Sequence, residues 1–406
     1  VKSQLVVAAI CAVLCTGARA REAAPPLRWQ EVVSGLDRNP RFQEASRRAS
    51  AATAAVDAAG QVPNPKLEVT AGEGWTADGS VRKTEWAVGI AVPLEWLGTR
   101  GPRQDAARAA AREAGEETAL VRQEVLLRLR RLFVLVAHDE RLVESLAASS
   151  RQADDLARLV RLRVERGEAR PPELPRVEVE AERSRLALSQ AQSRAMVHRD
   201  QLSLWVGRPV ERVAIDMAQA PEPPPLADLQ DRAASDQPRV RAVRDRVAAA
   251  AAEVQAERNQ RIPAVNVSGY ALGEVDRNAV GGGLGIELPV WNWNSGRIAQ
   301  TEALQAAEEA RLLVATYEAR AALVESWATC TQGRLASTRL REEVVPRAET
   351  AAAKMERSYQ LGESPLFETL DSRRALLEVR RELLAAELEQ QLECSALTIL
   401  TGGELR

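Results

Sequence analysis

Asp37-Arg38-Asn39-Pro40-Arg41-Phe42 returns 198 positions later as Ser235-Asp236-Gln237-Pro238-Arg239-Val240, and Pro65 returns at the same spacing as Pro263. The segment between these prolines therefore has one length in both halves. Further on, Val92-Pro93-Leu94-Glu95-Trp96 is matched by Leu288-Pro289-Val290-Trp291. Gly101, Gly167 and Gly207 then recur as Gly296, Gly362 and Gly402, each 195 positions on. Chance similarity between Ala-rich helices does not hold glycine spacing to the residue. The chain reads as a duplication, with one structural repeat over 21–220 and a second over 221–406, joined through the proline-rich Pro221 to Pro225.

Each copy carries the same punctuation. Helical stretches over about 41–61 and 228–260 stop before Pro65 and Pro263, because a proline disfavours helix at the residue preceding it. Segments of period two follow, predicting strands over about 65–73, 84–94, 263–272 and 280–291. Leu67, Val69 and Ala71 alternate with polar partners. Trp86, Val88, Ile90 and Val92 alternate with Glu85, Ala87, Gly89 and Ala91. In the second copy Leu284, Ile286, Leu288 and Val290 alternate with Gly283, Gly285, Glu287 and Pro289. One face is apolar and the other small or polar. Trp75, Trp86, Trp96, Trp291 and Trp293, five of the eight tryptophans, fall in or beside these segments, as an aromatic girdle at the edges of a bilayer requires. A soluble hairpin with one buried face is the alternative.

Between about Pro102 and Arg166, and between about Arg297 and Leu361, the pattern predicts helices of roughly 65 residues, which at 1.5 Å per residue is on the order of 95 Å. Val121, Val125, Leu129, Leu132 and Val136 trace the seam of a coiled coil. Pro346 is expected to kink the second long helix. Both helices stop at a glycine, Gly167 or Gly362. After tips over about 166–172 and 361–366, shorter helices run back to Gly207 and Gly402. The fold class is mainly α with a small β part: a duplicated helix, β-hairpin, long-helix, helix unit.

Composition agrees. Ala, Leu, Val, Glu and Arg dominate, while Phe, Tyr and Met number three each, which excludes a bulky aromatic core. Lys2, the apolar run from Leu5 to Leu14 and Ala18-Arg19-Ala20 read as a signal peptide over 1–20. Cys15 as a lipid-bearing first residue is an alternative that Leu14 fits poorly. Removal of the signal leaves only Cys330 and Cys394, so no disulfide framework is expected. A net charge of −2 gives no reason to expect nucleic acid. His138 and His198, the only histidines, lack an i+4 partner and read as surface or interhelical residues rather than metal ligands. Gly281-Gly282-Gly283-Leu284-Gly285 lacks the Lys-Ser/Thr of a phosphate loop and reads as part of a strand. No catalytic triad and no cofactor motif is visible, and no cofactor is expected.

Four strands per chain cannot close a barrel, and an open sheet edge in lipid leaves backbone groups unsatisfied, so a membrane-spanning reading demands an oligomer. With Asn39-Pro40, Asn64-Pro65, Val92-Pro93-Leu94, Leu288-Pro289-Val290-Trp291 and the turn Tyr359-Gln360-Leu361-Gly362-Glu363-Ser364 in this order, the chain resembles the TolC-like outer-membrane factor family over nearly all of its mature length. Pro93 to Gly101 is further similar to the CzcC-like heavy-metal efflux branch. The resemblance implies an outer-membrane homotrimer with a 12-stranded transmembrane β-barrel in lipid, continuous with an α-barrel in the periplasm. It implies a passive exit duct for metal cations, without enzymatic chemistry. The partners implied are a periplasmic membrane-fusion adaptor and an inner-membrane pump of resistance-nodulation-division type. It places entrance-ring acids at Glu368 and Asp371, with Glu173 at the matching site of the first copy, and an iris contact at Tyr359. Ser364 departs from the family, which has an arginine of the closing network there. The tip residues Arg163, Arg166, Gly167 and Glu168, with Leu361, Gly362, Glu363 and Ser364, are the expected adaptor contacts. Ordinary solvated charge at the start of a helix and simple turn chemistry are the alternatives for these two sets. Multidrug efflux, type I protein secretion, and a periplasmic adaptor or coiled-coil scaffold are the alternatives for the whole.

Overall fold

The computed structural model describes residues 25–94, 96–229, 237–288 and 290–403. The signal peptide over 1–20 with Cys11 and Cys15, Glu95, Ser235 and Asp236 of the repeat, Pro289 and the Trp96 side chain lie outside the described residues. The elements run β1 (Leu27–Arg28), α1 (Trp29–Ser34), α2 (Pro40–Ala59), β2 (Lys66–Trp75), β3 (Arg82–Pro93), α3 (Trp96–Glu165), α4 (Glu173–Val206) and β4 (Val213–Ala214). Then come α5 (Pro238–Asn259), β5 (Ala264–Gly273), β6 (Asn278–Glu287), α6 (Ser295–Arg339), a π turn (Leu340–Val344), α7 (Val345–Leu361) and α8 (Leu366–Leu400). No helix among the described residues is long and apolar enough to cross a membrane. The compact units are not the sequence repeats: one comprises 1–39, 124–226 and 324–406, the other 40–123 and 227–323, so each takes segments from both copies.

The second of these units holds an antiparallel sheet in the order β2-β3-β5-β6. Cross-strand partners share a face, so the register decides whether the apolar sets of the separate strands merge. Leu67 pairs with Ile90, Val69 with Val88 and Ala71 with Trp86. Val92 pairs with Val267, and Val88 with Ala271. Val265 pairs with Ile286, Val267 with Leu284 and Ala271 with Val280. The result is one apolar face across the four strands, giving way to Glu73, Thr84 and Arg82 toward the β2–β3 turn, and bare to the surroundings: Leu67 is 71% exposed and Val280 87%. The opposite face carries Lys66, Glu68, Asn266, Ser268 and three glycines of β6, Gly281, Gly283 and Gly285. A Cβ at Gly281 would stand 2.6 Å from the Tyr270 ring, so that glycine makes room for the tyrosine lying across the strand. β6 ends at Glu287, short of the expected 291.

In the same unit, arginine–carboxylate pairs join α5 to α3 and to α6. Arg246 reaches Glu113 at 2.6 Å and Glu117 at 2.7 Å. A pair such as Arg246–Glu117, whose carboxylate is half exposed, contributes about 0–1 kcal/mol.

In the first unit, the seam residues Val125, Leu129, Leu132 and Val136 are all buried, around Phe133 at 0% exposure. Trp29 meets Phe133 edge-on with centroids 5.7 Å apart. The Arg130 guanidinium lies 5.1 Å over the Trp29 ring, a cation–π contact that offsets part of its desolvation. Burial lowers the Arg130 pKa to about 10.

Two sequence expectations are corrected here. The two mature cysteines are joined: Cys330 of α6 and Cys394 of α8 form a single disulfide, with Cα atoms 4.9 Å apart. A cysteine count could not show this, because antiparallel helices bring together residues 64 positions apart in sequence. The first long helix begins at Trp96 rather than at Pro102, which sits inside it. Pro346, where a kink is expected, lies two residues after a π turn. The π turn just ahead of it widens the backbone where a proline ring would crowd the preceding turn, and helix continues on both sides.

Candidate functional site at the helix tips

Both tips are closed by glycines in the left-handed region, Gly167 at φ +75° and Gly362 at φ +79°. The amide of Glu168 donates to Arg163 O at 2.8 Å and that of Gly167 to Val164 O at 3.0 Å. Glu363 donates to Ser358 O at 2.9 Å and Gly362 to Tyr359 O at 3.0 Å. This is the same Schellman closure twice. A Cβ would be strained at either glycine, so each long helix must end there.

Below the turns lies a small core made from both copies: Leu156, Val160, Val177, Ala181, Tyr359, Leu366 and Leu370. Tyr359 belongs to this core rather than to an open surface, being 4% exposed. The Arg163 guanidinium lies 5.0 Å over its ring. Arg163 also donates to Tyr359 O at 2.9 Å and Gln360 O at 3.1 Å, capping the last carbonyls of α7. Burial raises the Tyr359 pKa above its usual value, opposed by the nearby Arg163, and its hydroxyl makes no hydrogen bond of good geometry among the described residues. The first tip thus fastens the second through one arginine.

The carboxylates differ in setting. Glu173 is half-buried and meets Arg170 at 3.4 Å. Glu368 and Asp371 are exposed on α8 and make no ion pair among the described residues. Arg166, Gly167, Glu168, Leu361, Gly362 and Glu363 are exposed at the turns, whereas Ser364 is half-buried and its hydroxyl points to Met355 O at 3.5 Å. Between α4 and α8 a groove opens near the tips, lined by Pro175, Val179, Leu366, Phe367 and Arg374.

Sequence reasoning missed several fastening residues. Arg373 donates to Gln152 O at 2.9 Å and to Glu356 at 2.7 Å, so one α8 side chain ties α3 and α7. Arg374 bonds Glu180 of α4 at 2.6 Å, which lowers the Glu180 pKa. Glu387 is wholly buried between Arg141 and Arg341. The one available signal was a charge recurring on the apolar stripe of a helix. His138 is half-buried and His198 meets Asp139 at 2.6 Å. Among the described residues no three His, Cys, Asp or Glu side chains converge on a metal-sized site.

Trp75 and Trp86 stand on the apolar face near the β2–β3 turn, while Trp291 and Trp293 follow β6, at 96% and 58% exposure. The two pairs therefore flank opposite ends of the strands.

The family model described as "Outer membrane efflux protein" matches residues 33–208 and again 229–403. The cobalt-zinc-cadmium resistance protein CzcC of Cupriavidus metallidurans is 24% identical over 368 residues, covering 89% of this chain and 86% of that one. Among solved structures, the fold is shared with CusC, at a TM-score of 0.81 and 15% identity over 93% of this chain and 92% of that one. It is shared with the outer-membrane channel OprN, at 0.78 and 17% over 93% and 90%. The open-state MtrE channel of Neisseria gonorrhoeae matches at 0.76 and 17% over 93% and 89%.

Proposed function

Because the chain belongs to the outer membrane efflux protein family, we propose that three copies form the exit duct of a tripartite efflux system, conducting metal cations passively across the outer membrane. One observation carries this reading: a four-stranded sheet with one apolar face across its strands and two unpaired outer strands, β2 and β6. In lipid such edges are satisfied only by closure. Pairing β6 of one copy with β2 of the next gives a twelve-stranded barrel from three chains. The exposed apolar residues Val179, Leu186 and Leu204 of α4 give the helices a surface for the same neighbours.

The cation reading rests on the name of the CzcC relative and on the two free acids. Three-fold repetition of Glu368 and Asp371 gathers six carboxylates at one mouth, a field that favours cations. The exposed turn residues Arg166, Glu168, Leu361 and Glu363 are the contacts offered to a periplasmic adaptor, which links the duct to an inner-membrane pump of resistance-nodulation-division type. The protein works in the outer membrane, with its helices in the periplasm.

Purified protein in detergent should run as a trimer that dissociates on heating and should conduct in planar bilayers. Glu368→Ala combined with Asp371→Ala should reduce its preference for cations. A monomer extractable without detergent, or silent bilayers, would refute the duct. An unaltered preference would refute the acidic mouth alone. Loss of the gene should sensitise cells to cobalt, zinc or cadmium, and unchanged sensitivity to all three would refute the metal assignment.

A further inference from the structure

The second copy carries three features that the first lacks. Its long helix is interrupted by the π turn Leu340–Val344, whereas α3 runs unbroken through the matching positions. Arg341 within that turn reaches the buried Glu387 at 2.7 Å, and Arg141 holds the other oxygen of the same carboxylate. On the side away from the tips, α6 and α8 are tightly fastened. The Cys330–Cys394 bridge joins them, the Ser337 hydroxyl donates to Gln390 Oε1, and a Cβ at Gly333 would stand 3.1 Å from the Gln390 backbone nitrogen.

Packing within the chain changes abruptly at this turn. From Leu384 to Ile399, α8 buries nine side chains, including Glu387, Gln391, Cys394 and Leu397. No residue over 371–383 or over 338–351 is buried. Burial resumes at Ala352 and then in the tip core at Tyr359, Leu366, Thr369 and Leu370. A π turn costs regular helical hydrogen bonding and is often found at functional sites. Segments with few buried contacts open at lower free energy than the core beside them.

We propose that the π turn Leu340–Val344 is the pivot on which the tip-side part of the second-copy hairpin moves when the duct opens, with Glu387 setting its resting position through Arg341 and Arg141. The disulfide and the Ser337–Gln390 contact define the fixed side. The moving side comprises α7 and the first half of α8, which carries Glu368 and Asp371. Pro346 keeps the pivot in place, because the proline ring prevents the turn from relaxing into uniform α-helix. The assignment of this motion to opening rests on the duct reading above; the pivot itself is a property of the fold.

Amide hydrogen exchange on the full-length protein in detergent tests it. Arg341→Gln frees the turn and leaves Arg141 on Glu387. Exchange over 345–383 should then rise roughly tenfold, as expected for loss of a partly buried ion pair, while 324–339 and 388–400 stay unchanged. Pro346→Ala, at an exposed position, should act in the opposite direction and slow exchange over 340–350. An equal rise on both sides of the turn in Arg341→Gln, or no change in either variant, would overturn the pivot. In bilayers Arg341→Gln should raise the open fraction, and an unchanged open fraction would overturn the link between pivot and opening. A silent wild-type channel would instead remove the duct reading and leave the exchange result to judge the pivot alone.

Discussion

The Asn259 side-chain amide donates to Gly98 O at 3.3 Å, filling the acceptor that Pro102 leaves empty four residues along α3. A proline within a helix removes the hydrogen bond to the carbonyl four residues before it. Here a side chain from the end of α5 replaces that bond, and α3 can begin six residues earlier than its proline suggests. Asn259→Leu should destabilise the protein by about 1–3 kcal/mol, the cost of an unsatisfied buried carbonyl. Pro102→Ala restores the backbone donor, so the double variant should recover most of the loss. Thermal unfolding of the four proteins in the cycle checks this, and strict additivity would show that the two residues do not share the carbonyl.

The Cys330–Cys394 bridge closes a loop of 64 positions. Chain-entropy reasoning assigns such a loop about 4 kcal/mol. Cys330→Ser with Cys394→Ser should lower the temperature at which trimers dissociate on gels, and wild-type protein treated with reductant should match the double variant. Identical dissociation temperatures with and without the bridge would contradict its structural role.

At the tips, Tyr359 presents a separable ring and hydroxyl. Arg163 lies over the ring, and the buried hydroxyl makes no hydrogen bond of good geometry among the described residues. Tyr359→Phe should therefore be neutral or mildly stabilising, while Tyr359→Ala should cost about 3–5 kcal/mol of local stability by emptying the tip core. Proteolysis of the tip segments reads both. A destabilised Tyr359→Phe would reveal a hydroxyl contact absent from this structure.

The register of the sheet makes neighbouring residues behave oppositely. Val88 belongs to the apolar face and Ala87 to the other. A cation facing lipid near mid-membrane costs roughly 2–4 kcal/mol. Val88→Arg should depress the yield of heat-modifiable trimer, and Ala87→Arg should leave it near wild type. Equal losses would mean that the two faces are equivalent.

Burial lowers the His138 pKa, partly opposed by the Asp139 charge and the Leu384 carbonyl, with Arg141 and Arg194 adding to the depression. As pH falls through the ordinary histidine range the unfolded chain takes a proton that the folded chain refuses. This group's contribution to stability is therefore present above pH 6.5 and is lost toward the lower folded-state pKa. The unfolding temperature should fall between pH 7.5 and 5.5, and His138→Gln should flatten that slope. An unchanged slope would assign the pH dependence to other groups.

Some of these features were legible before any coordinates. Gly167, Gly207, Gly362 and Gly402 all take positive φ, and a glycine after a helical run announces a left-handed cap locally. The alternation over Trp86 to Val92 identified an apolar face because side chains on a strand obey a two-residue period, whatever the strand pairs with. Tyr359 was less legible. The resemblance implied an iris contact there, and what the sequence did not show is that the first copy supplies Val160, Val177 and Arg163 around a buried ring.

The sequence by itself determined the duplication, the glycine-capped helix ends, the two faces of each strand and the need for partners that its open sheet has in this reading, since all follow from spacing and local backbone preference. Only the tertiary structure decided that Cys330 meets Cys394, that Glu387 is shared by Arg141 and Arg341, and that Asn259 repairs the helix at Pro102. Each of these joins residues on different helices. Their meeting depends on interhelical register and rotation, which helical periodicity leaves open and packing alone fixes.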